Sequence, residues 1–313
     1  MRFRVHLLTA AFVLASIATI DAVAQTRFRA GPPENVRLQT KDGVGLSVTY
    51  YPSSAGQEAA PVVMLHDHKG TQGMFAALAR RLQTPGADDK HPSFAVVTLD
   101  LRGHGSSVKQ TLPTGQLHEI DAAKLGRQDI VNMGADLEAV RRFLVGKNDA
   151  GELNLNKLAL LGVGMGATVA VNWAAADWVA PPLSIGKQGQ DVKALVLVSP
   201  RWKYRGILLQ QALRVQPLRQ NAAWMLIYGD QDREATADAL RLYRQLERFH
   251  DEPKAVGALG SLVSVPLPSA LEGSQLLSQA GPQVENQIVD FLRVHAAEQD
   301  YPWIQRRNRV PSQ

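Results

Sequence analysis

Residues 157–168 read K-L-A-L-L-G-V-G-M-G-A-T. Residues 158–161 are a short apolar run of the kind that makes a strand buried on both faces. The run passes directly into Gly162-Val163-Gly164-Met165-Gly166, and an alanine-rich segment with helical character continues to about Trp178. A buried strand, a glycine turn and a helix in immediate succession point to a mostly parallel sheet whose connections are helical.

The flanking sequence repeats that unit in both directions. Towards the N-terminus, residues 61–66 and 94–99 are two more short β-branched strands. The spacing predicts a helix over 74–83 between them. A longer helix over 130–145 carries Met133, Leu137, Val140 and Leu144 on one stripe. Towards the C-terminus, strands are expected at 192–198, 224–228 and, more weakly, 262–267, with helices over 235–249 and 284–295. Residues 36–40 and 44–51 flank Lys41-Asp42-Gly43, a hairpin signal that places an antiparallel pair before the parallel strands. The segment after Gly105 reads as a polar insertion, and residues 300–313 as a loosely attached basic arm.

Composition sets the outer limits. The chain has 313 residues, 45% hydrophobic and 20% charged, which describes a globular protein with a sizeable core. It contains no cysteine, so disulfides, thiolate metal sites and cysteine nucleophiles are excluded. The formal charge of +5 is dispersed, apart from Arg306, Arg307 and Arg309, so no nucleic-acid partner is expected. Residues 1–24 have the form of a secretory signal. Arg2 and Arg4 precede an apolar run from Leu7 to Ile20, and Ala22-Val23-Ala24 supplies the small residues of a cleavage site. Export is therefore expected, with one domain over 25–299 and no transmembrane span after cleavage.

In sheets of this kind, ligands bind beyond the carboxyl ends of the strands. Four such ends resemble segments of the α/β-hydrolase superfamily, in order, over most of residues 36–297. L-H-D-H-K-G (65–70) resembles the His-Gly segment that helps to form an oxyanion hole. D-L-R-G-H-G-S-S (100–107) resembles the D-x-R-G-x-G-x-S segment. L-L-G-V-G-M-G-A-T-V-A (160–170) resembles the nucleophile elbow, and L-I-Y-G-D-Q-D (226–232) the segment that ends in the triad acid. The resemblance implies an α/β-hydrolase fold with helices on both faces of the sheet. The short stretch over 201–206, after the strand at 192–198, implies a minimal lid and an open, shallow pocket.

Serine-hydrolase chemistry needs a hydroxyl to attack, an imidazole to take its proton and a carboxylate to orient that imidazole. The nucleophile position maps to Gly164, which has no side chain; glycine tolerates the strained elbow while removing the reactive group. No Ser, Cys or Asp lies within residues 162–167, and Thr168 is one turn into the helix. The acid position maps to Asp232, with Asp230 two residues earlier. The histidine position, in Leu271-Glu272-Gly273-Ser274, is Glu272, so two acids are brought together and one tends to hold a proton.

Oxyanion donors remain, from the Met165 N–H and from the backbone of Asp67, His68 or Lys69, so an acyl or anionic ligand is expected there. His66 and His68, with Asp67 or Asp100, offer a weaker metal reading, and no metal or cofactor is expected. His66 and His104 are expected to be structural, and Arg102 to form an ion pair.

The chain is thus expected to be a pseudoenzyme that binds a ligand or partner at the vestigial site. The alternative is an active hydrolase on an ester or acyl substrate, using displaced residues His68, His104, Glu272 and Asp232. A third reading makes Tyr301, Trp303 and Ile304 in the arm a protein-docking element. Restoring Gly164→Ser with Glu272→His is expected to return weak esterase activity.

Overall fold

The computed structural model describes residues 30–85, 90–181, 186–251 and 259–306. Its strands are β1 (Glu34–Gln39), β2 (Gly45–Tyr51), β3 (Pro61–Leu65), β4 (Ala95–Leu99), β5 (Lys109–Thr111), β6 (Leu117–Glu119), β7 (Leu158–Val163), β8 (Val192–Val198), β9 (Lys203–Tyr204), β10 (Ile207–Leu208), β11 (Ala223–Gly229) and β12 (Leu262–Leu267). Its helices are α1 (Ala76–Gln83), α2 (Arg127–Asp149), α3 (Met165–Val179), α4 (Leu209–Ala212), α5 (Gln216–Asn221), α6 (Arg233–Leu246), α7 (Gly273–Gln279) and α8 (Gly281–Leu292).

Among the described residues, one eight-stranded sheet runs in the order β1-β2-β4-β3-β7-β8-β11-β12. β1 and β2 pair antiparallel around the Asp42-Gly43 turn, β2 pairs antiparallel with β4, and every later pair is parallel. The six residues of β7 and the seven of β8 are buried throughout, as expected of strands covered on both faces. Successive side chains divide between two cores. Val63, Leu65, Leu160 and Leu195 join α2, α3 and α6, whereas Val62, Met64, Leu161 and Val196 join α1 and α8.

Local sequence explains the element ends. α2 begins after Gly126, whose N–H donates to Asp129 at 2.7 Å, and runs longer than its apolar stripe at both ends. Asp232 caps α6 by accepting from the Ala235 N–H at 2.8 Å.

Three expectations need correction. The polar insertion contains the hairpin β5–β6, whose strands have no apolar alternation because their faces are largely exposed. The short stretch after β8 folds into a second hairpin, β9–β10, turned by Arg205 (φ 44°) and Gly206 (φ 83°). The arm is not loose over its described part. The side chains of Asn154, Asn156 and Asn148 donate to the carbonyls of Tyr301 (2.8 Å), Pro302 (2.6 Å) and Ile304 (3.0 Å). Arg306 is buried on Asp191 at 2.6 Å. These bonds are made by polar side chains to main chain, so no hydrophobic period announces them. Arg307, Arg309 and the signal-like residues 1–24 lie outside the described residues.

Candidate functional site

Gly164 stands between β7 and α3 at φ 50° and ψ −109°, a conformation that costs other residues strain. The strand–turn–helix geometry of an elbow is therefore present, with glycine at its centre. Its flanks are equally constrained: a Cβ on Gly166 would lie 2.3 Å from the Leu65 carbonyl oxygen. α3 packs that closely on the end of β3, which brings the Met165 N–H beside the loop after β3.

The occupant of that junction is Asp67. Its Oδ1 accepts the His68 N–H at 2.7 Å and the Met165 N–H at 2.9 Å. These are two of the donors expected of an oxyanion hole, and they hold the chain's own carboxylate at the positive end of α3. A Cβ built on Gly164 would sit 2.2 Å from Asp67 Oδ1 and 2.3 Å from Cγ. The second of these is about the span of two covalent bonds, as between a serine Cβ and the carbonyl carbon of its ester. Asp67 thus places its carboxylate where an acyl group on a serine would lie. Its other oxygen fills the space over Gly273, at 2.1 Å from the Cβ built there. The open anion site expected from the sequence is filled from within.

Asp232 and Glu272 do come together. Their carboxyl groups lie close enough to influence each other's protonation. Burial, and then Asp232, push the Glu272 carboxyl up; the Ala235 N–H, and then Glu272, draw Asp232 down. Arg201 pairs with Glu272 and reaches Glu234 at 3.5 Å. This cluster has no imidazole to orient. Asp230 is exposed on the neighbouring turn, and the Thr168 hydroxyl is buried in α3. The Ser199 hydroxyl at the end of β8 accepts the Gly273 N–H at 2.8 Å, tying the start of α7 to the sheet.

Three histidines pack edge to face, His104 lying 5.0 Å from His66 and 5.6 Å from His68 between ring centres. His66 Nδ1 donates to the Asp67 carbonyl at 2.7 Å and Nε2 accepts the Leu101 N–H at 3.0 Å. Both nitrogens are engaged, so His66 cannot ligate a metal without breaking the loop. His104 Nδ1 bonds the Arg102 carbonyl at 3.0 Å, and Arg205 reaches His68 Nε2 at 3.3 Å. Asp100 accepts from the Gln72 N–H (2.8 Å) and the Ser106 N–H (2.9 Å). Among the described residues, no group of three or more His, Cys, Asp or Glu side chains is placed to hold a metal ion. Lys69 is exposed at φ 60°.

Burial holds His66 down to about 4. An unfolded histidine titrates near 6.5, so between roughly pH 6.5 and 4 the unfolded chain binds the extra proton. Stability from this group is present above that window and lost as pH falls through it, by about 3 kcal/mol in all. Urea unfolding at pH 7 and 4.5 checks this by comparison with His66→Gln. The variant is expected to be less stable at pH 7 and to lose less on acidification; equal losses would refute the assignment.

Sequence reasoning missed Arg201, Ser199, the β9–β10 hairpin and the Asp67 side chain. For Asp67 a signal existed: a carboxylate stands in the His-Gly segment where glycine is usual, in a chain with glycine at the elbow.

A model of the alpha/beta hydrolase family matches residues 62–309. The chain belongs to that family. Among solved structures, this alpha/beta hydrolase resembles dienelactone hydrolase from Anabaena variabilis, at 17% identity and TM-score 0.55 over 85% of this chain and 100% of that one. An esterase from Pyrococcus furiosus aligns at 15% identity and TM-score 0.56, over 85% and 93%. An esterase from Pyrobaculum calidifontis aligns at 16% and 0.55, over 88% and 89%. At such identities the likeness is one of fold. Two uncharacterized Mycobacterium tuberculosis proteins are 26% identical over 140 residues, 45% of this chain and 40% of theirs. The match thus spans less than half of those relatives.

Proposed function

We propose that this alpha/beta hydrolase is an exported, non-catalytic member of its family, whose oxyanion hole has become a clamp for Asp67. The observation that carries the reading is the Asp67 carboxylate on the His68 and Met165 N–H groups, directly over Gly164. Loss of a triad member removes several powers of ten in rate, and the remaining catalysis comes from the oxyanion hole and from binding. Here the hole is filled as well, so that remainder is blocked. The esterase activity in the names of the structural neighbours has no nucleophile to rest on in this chain. A ligand or partner would meet the outer rim of the site, where Lys69 and Arg205 stand, and not the hole itself. Export rests on the signal-like residues 1–24.

Protein recovered from the exported fraction is expected to start near residue 25, to resist a fluorophosphonate probe and to leave short-chain esters intact. An N-terminus at Met1 in that fraction would remove the case for a cleaved signal. Stoichiometric labelling, or ester turnover that copurifies with the chain, would overturn the non-catalytic reading. Glu272 gives the alternative hydrolase its one foothold, because its raised pKa suits a general acid. Copurifying turnover abolished by Glu272→Ala would establish that alternative.

A further inference from the structure

At the opposite end of the sheet, where the parallel strands begin, Lys193, the second residue of β8, has a side chain that is almost wholly buried. A buried ammonium is costly unless it is matched by an opposite charge. Lys157, comparably buried, has Glu58 at 3.0 Å. Among the described residues, no carboxylate forms such an ion pair with Lys193. One of its three donors goes to the Gln190 carbonyl at 2.7 Å, and the ammonium lies 4.9 Å from the Trp178 ring centre and 4.6 Å from that of Tyr301.

The surroundings do not supply the missing charge. Asp191 is already shared by Arg141 (3.3 Å), Lys187 (3.3 Å) and Arg306 (2.6 Å). Asp177 accepts the N–H groups of Asp191 and Val192, and burial pushes its carboxyl up to about 6. Glu138 adds a partly exposed carboxylate 3.9 Å from Arg141. Among the described residues, three carboxylates therefore face four cations, and burial followed by Lys187 draws the Lys193 amine down to about 8. Two of the arginines also keep a buried Nε–H without a partner, Arg141 and Arg306.

Lys193 opens onto a cavity of about 340 Å³, which it lines with Asn221, His250, Ser261, His295 and Tyr301. The two imidazoles are held below their usual range by burial, so they offer hydrogen bonds at neutral pH and no competing charge. Asp251 also borders the cavity, but its side chain is exposed. Tyr301 belongs to the C-terminal strap, so the strap forms one wall. The volume sits at the lower end of the range for small-molecule sites.

We propose that this cavity is an anion site distinct from the vestigial triad, with Lys193 as its charge contact, and that it takes a small organic anion presenting one carboxylate or phosphate group. Such a ligand would balance the local cationic excess and complete the hydrogen bonding of the ammonium.

The test is calorimetric titration of the full-length mature protein at pH 7 with acetate, succinate and inorganic phosphate, using chloride at matched ionic strength as the control. Saturable binding in the millimolar range or tighter is expected for at least one of them. The preference between acetate and phosphate then identifies the group recognised. Lys193→Met, which keeps an apolar stem, is expected to weaken binding at least about tenfold. In the wild-type protein, the bound anion is also expected to protect Lys193 from an amine-acylating reagent, read by peptide mass spectrometry; this holds even if the variant folds poorly. Binding no better than chloride, equal affinity in a folded Lys193→Met protein, or unchanged acylation of Lys193 would each overturn the proposal.

Discussion

Gly164→Ser combined with Glu272→His is expected to leave this protein silent, and only the further change Asp67→Gly is expected to wake it. The first two substitutions restore the nucleophile and base positions and were enough on the sequence alone. The geometry corrects that expectation. A Cβ at position 164 would meet Asp67 Oδ1 at 2.2 Å and Oδ2 at 2.5 Å, far inside contact distance. Either the serine is held in a distorted elbow, or Asp67 is expelled and gives up two charge-assisted bonds, each worth about 1.5–3 kcal/mol. The paired variant should therefore also be less stable, by roughly 3 kcal/mol. Removing Asp67 relieves the overlap and frees the His68 and Met165 N–H groups for a substrate oxyanion. Asp232, whose carboxyl group interacts with that of Glu272, is placed to orient the new imidazole, although the Arg201 charge will compete for it. Fluorophosphonate labelling and ester turnover should rise on the order of 10²–10³-fold from the paired to the triple variant. Equal rates in the two would show that Asp67 is not the block.

Asp67 also marks how far the site could be read before the fold was known. The framework was legible because buried parallel strands announce themselves locally: β3, β7, β8 and β12 lie within a residue or so of where apolar runs placed them. The glycine at the centre of the turn was legible too, because the elbow is a local motif and position 164 can be read directly. The side chain that lies over it was not. Asp67 and Gly164 are 97 positions apart, and their complementarity is steric: a side chain gained on one loop occupies the volume lost on another. The short hairpin β9–β10 and the asparagine-held strap escaped for a related reason. Both are built from polar contacts over long sequence separations, which leave no periodic trace.

Asp136→Ala is expected to be the most damaging single substitution in the scaffold behind the site. Arg102, in the loop after β4, is almost wholly buried, and its guanidinium divides between two carboxylates of very different exposure. Asp136, from α2, is fully buried and accepts from the Arg102 backbone N–H at 3.1 Å, from Nε at 2.9 Å and from a terminal nitrogen at 2.7 Å. Asp42, at the turn between β1 and β2, takes the outer nitrogens at 2.6 and 3.1 Å from a partly solvated position. Removing Asp136 leaves two donors of the buried guanidinium and the Arg102 main-chain N–H without their acceptor, a loss of about 3–5 kcal/mol. That is a large fraction of the 5–15 kcal/mol typical of a folded domain. Removing Asp42 lets water take its place, so Asp42→Ala should cost about 1 kcal/mol. The double change Arg102→Met with Asp136→Leu should recover much of the loss, because a buried pair replaced by apolar groups is often close to neutral. Denaturant unfolding of the four proteins checks the order. Asp136→Ala no worse than Asp42→Ala would mean that water already reaches the inner face of the guanidinium. The effect should extend to the histidine group, because the Arg102 carbonyl holds His104 Nδ1. If the loop shifts in a folded Asp136→Ala protein, the imidazole resonances of His104 and its neighbour His68 should move, while those of His250 and His295 at the far end of the sheet stay in place.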